Sequence, residues 1–209
     1  MNILTIETSQ NKASLCVCRD GEIVYSTSWE TERNHDAFLF PALEQALSLP
    51  DTPTAPDLIL VGAGPGSYGG IRVALAAAVG ISVVKESRIA AICSWCGLSD
   101  SNTAIISDAK RGGWTIRRPD GTIEVLTIEQ LKQELDNGLT IATVEAEETL
   151  QKHQLAAKQY QLLPTAESIT QAWLKLSPEE QETILTQSAE PIYVRPPHIT
   201  AAKRKPWEV

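Results

Sequence analysis

Leu58-Ile59-Leu60-Val61-Gly62-Ala63-Gly64-Pro65-Gly66-Ser67-Tyr68-Gly69-Gly70-Ile71-Arg72 is the stretch on which the reading of the chain turns. The apolar run at residues 58–61 reads as a buried strand, and the Ala/Val/Ile segment at 73–84 as a helix. A glycine loop between a strand C-terminus and a helix N-terminus lets backbone N–H groups approach an anion closely, because no Cβ stands in the way. Gly64 to Gly69 match G-x-G-x-x-G, and Glu86 follows roughly where a ribose-binding acid sits in dinucleotide folds. The loop is not on the chain's first strand, however, which weighs against that assignment. It is not a P-loop, since Gly70 stands where lysine should follow, nor a nucleophile elbow, since Pro65 stands where glycine should precede the serine. Two readings stay open: a phosphate cradle, or a tight turn that lets a helix pack on a sheet.

Upstream, residues 2–8 suit a strand and 13–18 alternate, with Leu15 and Val17 on one face and Cys16 and Cys18 on the other. Asp20-Gly21 is a hairpin signal, and residues 22–29 resume the strand pattern. Asn34 or Asp36 can cap a helix running to about Leu47, followed by a proline-rich loop at 49–56. A strand at 89–92 closes this half. A second unit begins near Ser101, with strands at 103–107, 114–117 and 122–126, a helix at 129–136 and a strand at 140–144. The order βββαβ therefore occurs twice, the second copy degenerate, which predicts two related lobes at 1–100 and 101–209. Helices are expected at 166–176 and 178–187, ahead of a basic, proline-rich tail carrying Lys203, Arg204 and Lys205. That tail reads as a solvated end or as an RNA or partner contact.

With 209 residues, net charge −8 and pI about 4.9, the chain is not expected to carry a nucleic-acid surface over its whole exterior, although a local basic patch is compatible. The apolar segment at 73–84 is expected to be too short for a membrane span, and no export signal is evident, so a cytoplasmic, membrane-free protein is expected. Cys16, Cys18, Cys93 and Cys96 read as structural thiols rather than a zinc or redox site. The three histidines lack metal-ligand spacing. The 73–84 helix is apolar nearly all round and must be covered on both sides, by its own sheet and by other helices or a partner. Its small residues Ala74, Ala77, Ala78 and Gly80 would let a helix approach closely.

Residues 3–9 (Ile-Leu-Thr-Ile-Glu-Thr-Ser), Arg33-Asn34-His35, Gly64 to Arg72, Ser107-Asp108-Ala109-Lys110-Arg111-Gly112 and Ala189 to Arg195 together resemble the TsaB (YeaZ) family, in the family's order and across most of the chain. The resemblance implies an α/β chain with the actin-like ATPase (ASKHA) fold, two lobes of duplicated βββαβα units. It implies a non-catalytic scaffold, without a cofactor, that binds the catalytic paralogue TsaD. TsaD transfers threonylcarbamoyl to the adenosine beside the anticodon of tRNAs reading A-starting codons, and the ATPase TsaE joins them. The M22 glycoprotease label attached to such proteins finds no support in these residues. The family's threonine hydroxyl in the loop is missing at Gly69-Gly70, and the first-strand acid is Glu7 rather than aspartate. Glu7, Gly64, Gly66, Ser67, Gly69 and Asp108 therefore read as a vestigial nucleotide site. Docking is expected on helices at 36–47 and 71–84, through Leu39, Leu43, Arg72, Ala74, Ala77, Ala78 and Ile81, with contact to tRNA only through the complex. A homodimer through the same helices is a second possibility. The competing classes are an ATPase or kinase using Glu7, the glycine loop and Asp108, and a dinucleotide-binding oxidoreductase.

Overall fold

The computed structural model describes residues 1–31, 35–48, 55–98, 100 and 102–194. Its first half runs β1 (Asn2–Glu7), β2 (Lys12–Arg19), β3 (Glu22–Glu30), α1 (His35–Ser48), β4 (Leu58–Gly62), α2 (Tyr68–Lys85) and β5 (Arg88–Ile92). Then come β6 (Ala104–Asp108), β7 (Gly113–Arg117), β8 (Ile123–Thr127), α3 (Ile128–Asp136), β9 (Ile141–Thr143) and α4 (Glu147–Gln151), followed by α5 (Ala166–Leu174) and α6 (Pro178–Leu185).

β1 pairs antiparallel with β2 and parallel with β4, giving a five-stranded sheet of order β3-β2-β1-β4-β5. The β2–β3 turn takes Asp20 and Gly21 to φ 49° and 89°, the pair of left-handed residues that the strand twist of a two-residue hairpin requires. The second sheet, β8-β7-β6-β9, repeats the order and the mixed pairing of its counterpart, β6 antiparallel to β7 and parallel to β9, but among the described residues it has no equivalent of β5. That is the expected duplication with its degenerate second copy.

The alternation in β1 and β2 divides two cores. Leu4, Ile6, Leu15 and Val17 face α1 and α2, packing with Leu39, Ile71, Ala74 and Ala78. Ile3 and Cys18 face the other way, toward Ile169 and Trp173 of α5. The expected unit at 101–209 assigned α5 and α6 to the second lobe, whereas α5 packs on β1 and β2 and α6 on β5 of the first sheet. The reason is burial: without them the second apolar face of the first sheet would meet water. Polar links fix α5 there. Ser14 Oγ accepts from Ala166 N at 2.8 Å, and Thr170 Oγ1, which donates to Ala166 O, lies 2.6 Å from Thr5 Oγ1. Trp95, in the turn after β5, is buried against Ile105 and Ala142 and joins the two sheets.

α2 begins five residues before the helix expected at 73–84. Ser67 serves as N-cap, its Oγ accepting from Gly70 N at 3.3 Å, so that Gly69 and Gly70 are helical. At 18 residues and mean hydropathy 1.4, α2 is, by length and composition alone, long and apolar enough to cross a membrane, which corrects the expectation of a segment too short to do so. Here one side of it is seated on the first sheet through Ile71, Ala74, Leu75 and Ala78.

Candidate functional site

The glycine loop meets the end of β1 at van der Waals limits. A Cβ on Gly62 would lie 1.8 Å from Glu7 Oε2, and one on Gly66 would lie 2.2 Å from Ser9 O. Gly64 is left-handed at φ 96°, a conformation open to glycine. The loop's backbone polar groups bond inside the protein. Gly64 N donates to Ser94 Oγ (3.0 Å) and Ser67 N to Ser9 O (2.6 Å), while Gly64 O accepts from Ser94 N (2.8 Å). Thr8 Oγ1 donates to Gly70 O at 2.8 Å. Close packing and internal hydrogen bonding thus account for Gly62, Gly64 and Gly66 without a ligand. Gly69, which would have open space around a Cβ, is explained by neither.

Glu7, expected in a nucleotide site, is fully buried beneath this loop. Ser9 N donates to its Oε1 at 2.5 Å, and Oε2 has no hydrogen-bond partner among the described residues. Burial pushes its pKa up, opposed by the hydroxyls of Ser9 and Ser94. Fully buried, the carboxyl is not presented to the cleft between the two sheets.

Between the two sheets lies a cleft of about 590 Å³, lined by Ser67 and Tyr68 from one lobe and Asp108, Lys110 and Glu145 from the other, with Ile192 to Val194 at its edge. The cleft brings together Gly66, Ser67 and Asp108 of the expected vestigial site; Glu7, Gly64 and Gly69 do not line it. Both Asp108 oxygens are engaged by Lys110, Oδ1 with its backbone N (2.7 Å) and Oδ2 with Nζ (3.1 Å). This closes a turn in which Lys110, Arg111 and Gly112 are all left-handed, so Asp108 acts first as a turn cap. Glu86, spaced for a ribose, is instead the left-handed C-cap of α2 at φ 57°. Among the described residues, no group of His, Cys, Asp and Glu side chains could hold a metal ion. The cysteines are free thiols, and burial pushes Cys16 and Cys96 up to about 12.

The second feature is the outer face of α1 and α2. Leu39, Ala74 and Ala78, expected as docking contacts, are fully buried in the first lobe's own core, and Leu43 and Ala77 nearly so. Ala74 and Ala78 seat α2 on the sheet, whereas Gly80 faces outward. What remains outside is Arg72, part of Ile81, and several residues the sequence reading missed: Phe40 (55% exposed), Val79, Val83 (77%) and Val84 (74%). An open apolar groove of about 420 Å³ runs between the helices, walled by Phe40, Leu47, Ala76, Gly80, Ile81 and Val84. The signal that could have found this face was the cluster of β-branched residues late in α2, poor helix formers with no reason to sit outside on a solvated helix. Asn34 and the tail cations Lys203, Arg204 and Lys205 lie outside the described residues.

A family model described as TsaD, tRNA N6-adenosine threonylcarbamoyltransferase, matches residues 27–127. A Bacillus subtilis (strain 168) protein named tRNA threonylcarbamoyladenosine biosynthesis protein TsaB is 31% identical over 121 residues, covering 54% of this chain and 52% of that protein. The chain thus matches about half the length of this curated relative. A Pseudomonas aeruginosa crystal structure of an uncharacterized protein with similarity to peptidase YEAZ superposes with TM-score 0.73 at 21% identity, over 93% of this chain and 99% of that one. YeaZ from the same organism gives 0.71 at 20% identity, over 92% and 99%. The two sheets of repeated strand order are the actin-like ATPase fold. In fold the chain is similar to the YeaZ structures, and over about half its length its sequence is similar to a TsaB protein.

Proposed function

We propose that the chain is a non-catalytic subunit in the formation of threonylcarbamoyladenosine on tRNA, acting by docking a TsaD-like catalytic paralogue on the outer face of α1 and α2. The observation that carries this reading is the apolar groove walled in part by Phe40 and Val84, with Val79 and Val83 exposed elsewhere on α2. Exposed apolar surface of this kind, uncovered by any described residue, marks an association face. The chemistry of the cleft supports the non-catalytic part, because the candidate groups are already engaged. Glu7 is buried, Asp108 is held by Lys110, and Ser67 caps α2.

The test is co-purification with a TsaD-like partner, coupled to reconstituted tRNA modification in the presence of a TsaE-like ATPase. Val83→Glu should abolish both while leaving the circular dichroism and melting temperature unchanged, since Val83 touches no core. Ala77→Arg, the choice that sequence alone suggests, would confound the result because Ala77 is buried. Light scattering of the isolated chain distinguishes a second copy on the same face. Turnover of Mg-ATP by the isolated chain would overturn the reading in favour of an ATPase.

A further inference from the structure

At the mouth of the cleft, the rings of Tyr68 and Tyr193 stack with centroids 5.4 Å apart and planes 29° from parallel. The Arg72 guanidinium lies over the Tyr68 ring, 5.1 Å from its centroid, and its Nη1 donates to Tyr68 Oη at 3.1 Å. Both tyrosines keep 49% of their surface open. Tyr193 is held in place by its own backbone, since its neighbour Ile192 donates through N to Ala63 O at 2.8 Å. The result is an exposed pile of two aromatic rings and a guanidinium on rigid supports. Lys110 lines the cleft with it.

We propose that Tyr68, Arg72 and Tyr193 form a platform for RNA, on which an unpaired base stacks against Tyr193 while Arg72 meets the adjoining phosphate. Aromatic rings beside cations are how proteins hold single-stranded nucleic acid, because every base presents a π-face and every nucleotide a phosphate. Charge favours RNA over a protein partner here. In a chain of net charge −8, the segment beginning two residues after Tyr193 carries Arg195, Lys203, Arg204 and Lys205 against a single carboxylate, Glu208. The platform also stands at the N-terminal end of α2, away from the valines at its far end. The proposal rests on the tRNA reading above and adds a direct RNA contact to a role otherwise exercised through a partner.

The experiment is fluorescence anisotropy of a labelled stem-loop RNA with an unpaired loop, titrated with the full chain alone and with the chain bound to its TsaD-like partner. Tyr193→Ala should weaken RNA binding about tenfold, and Tyr193→Phe should restore it, since stacking needs the ring and not the hydroxyl. Arg72→Gln should reduce the slope of log affinity against log salt by about 0.7. Unlabelled AMP should fail to compete. Three results overturn the proposal. One is unchanged RNA affinity in Tyr193→Ala. Another is competition by AMP at matching affinity, which would make the platform a free-nucleotide site. The third is loss of the protein partner rather than of RNA. Failure of the docking reading registers separately, as a Val83→Glu chain that still co-purifies.

Discussion

Replacing two glycines of one loop by alanine should have opposite effects. At Gly66 a Cβ would sit 2.2 Å from Ser9 O and 2.7 Å from Ser9 Cβ, where ordinary contact begins near 3.4 Å. One backbone must therefore retreat by roughly an ångström in a place where interiors are close-packed. The retreat also pulls Ser9 O from Ser67 N, a 2.6 Å hydrogen bond. Overpacking of this kind costs about 1–3 kcal/mol and the lost bond about 1 more, so Gly66→Ala should destabilise by about 2–4 kcal/mol. For a chain of this length that lowers the melting temperature by roughly 5–15 °C. Gly69 lies in the first turn of α2 with nothing within 4 Å of a Cβ, so Gly69→Ala should stabilise by about 0.5 kcal/mol through helix propensity. Urea unfolding followed by circular dichroism reads both. A Gly66→Ala protein within about 0.5 kcal/mol of wild type would refute the close-approach argument. So would a Gly69→Ala protein that loses as much as Gly66→Ala.

Glu7→Gln should flatten part of the pH dependence of stability. The native carboxyl is raised above its usual value, so between that value, near 4.5, and the native one the folded state holds a proton that the unfolded chain releases. The stabilising contribution is complete below about pH 4.5 and is lost as pH rises through the native pKa. The difference in urea midpoint between wild type and Glu7→Gln should therefore move in favour of the mutant from pH 4.5 upward. A pH-independent difference would contradict the burial argument. The thiols give a second check, since Cys16 and Cys96 at about 12 should alkylate with iodoacetamide at neutral pH about a thousandfold more slowly than an ordinary thiol. Rapid native labelling at Cys96, read by mass spectrometry, would show that it is exposed and acidic.

The duplicated strand order was legible because alternation and turn chemistry are local: Leu15 and Val17 against Cys16 and Cys18, with Asp20-Gly21 between two strands, admit one arrangement. Helix burial was not. Leu39, Ala74 and Ala78 have the spacing of a face, but spacing does not say whether that face meets the chain's own sheet or another protein. In α2 Ala74 and Ala78 face inward, because alanines let the helix lie close over β4. The same limit explains α5 and α6. Their periodicity was visible, yet the sheet they cover lies more than seventy residues earlier in the chain, and nothing local names it. At the glycine loop the motif was readable and its purpose was not. Only the distance from Gly66 to Ser9 separates a close approach of two backbones from a cradle for phosphate.

The packing of the first lobe gives the exposed valines their weight. One face of its sheet is covered by α1 and α2, the other by α5 and α6, so the sheet's demand for burial is met from within the chain. Phe40, Val79, Val83 and Val84 lie outside both cores as an outer surface on α1 and α2, and their exposed fractions amount to about two and a half apolar side chains. At about 1.5–3 kcal/mol for each side chain fully buried, covering them would contribute roughly 4–8 kcal/mol before the costs of association. That is close to what a micromolar complex needs on its own, from one partner's contribution alone. A phosphate site in the loop would draw on none of it. Association energy therefore resides not in the glycines but in the helix that follows them, where a single charge at Val83 should cancel the association and leave the fold intact.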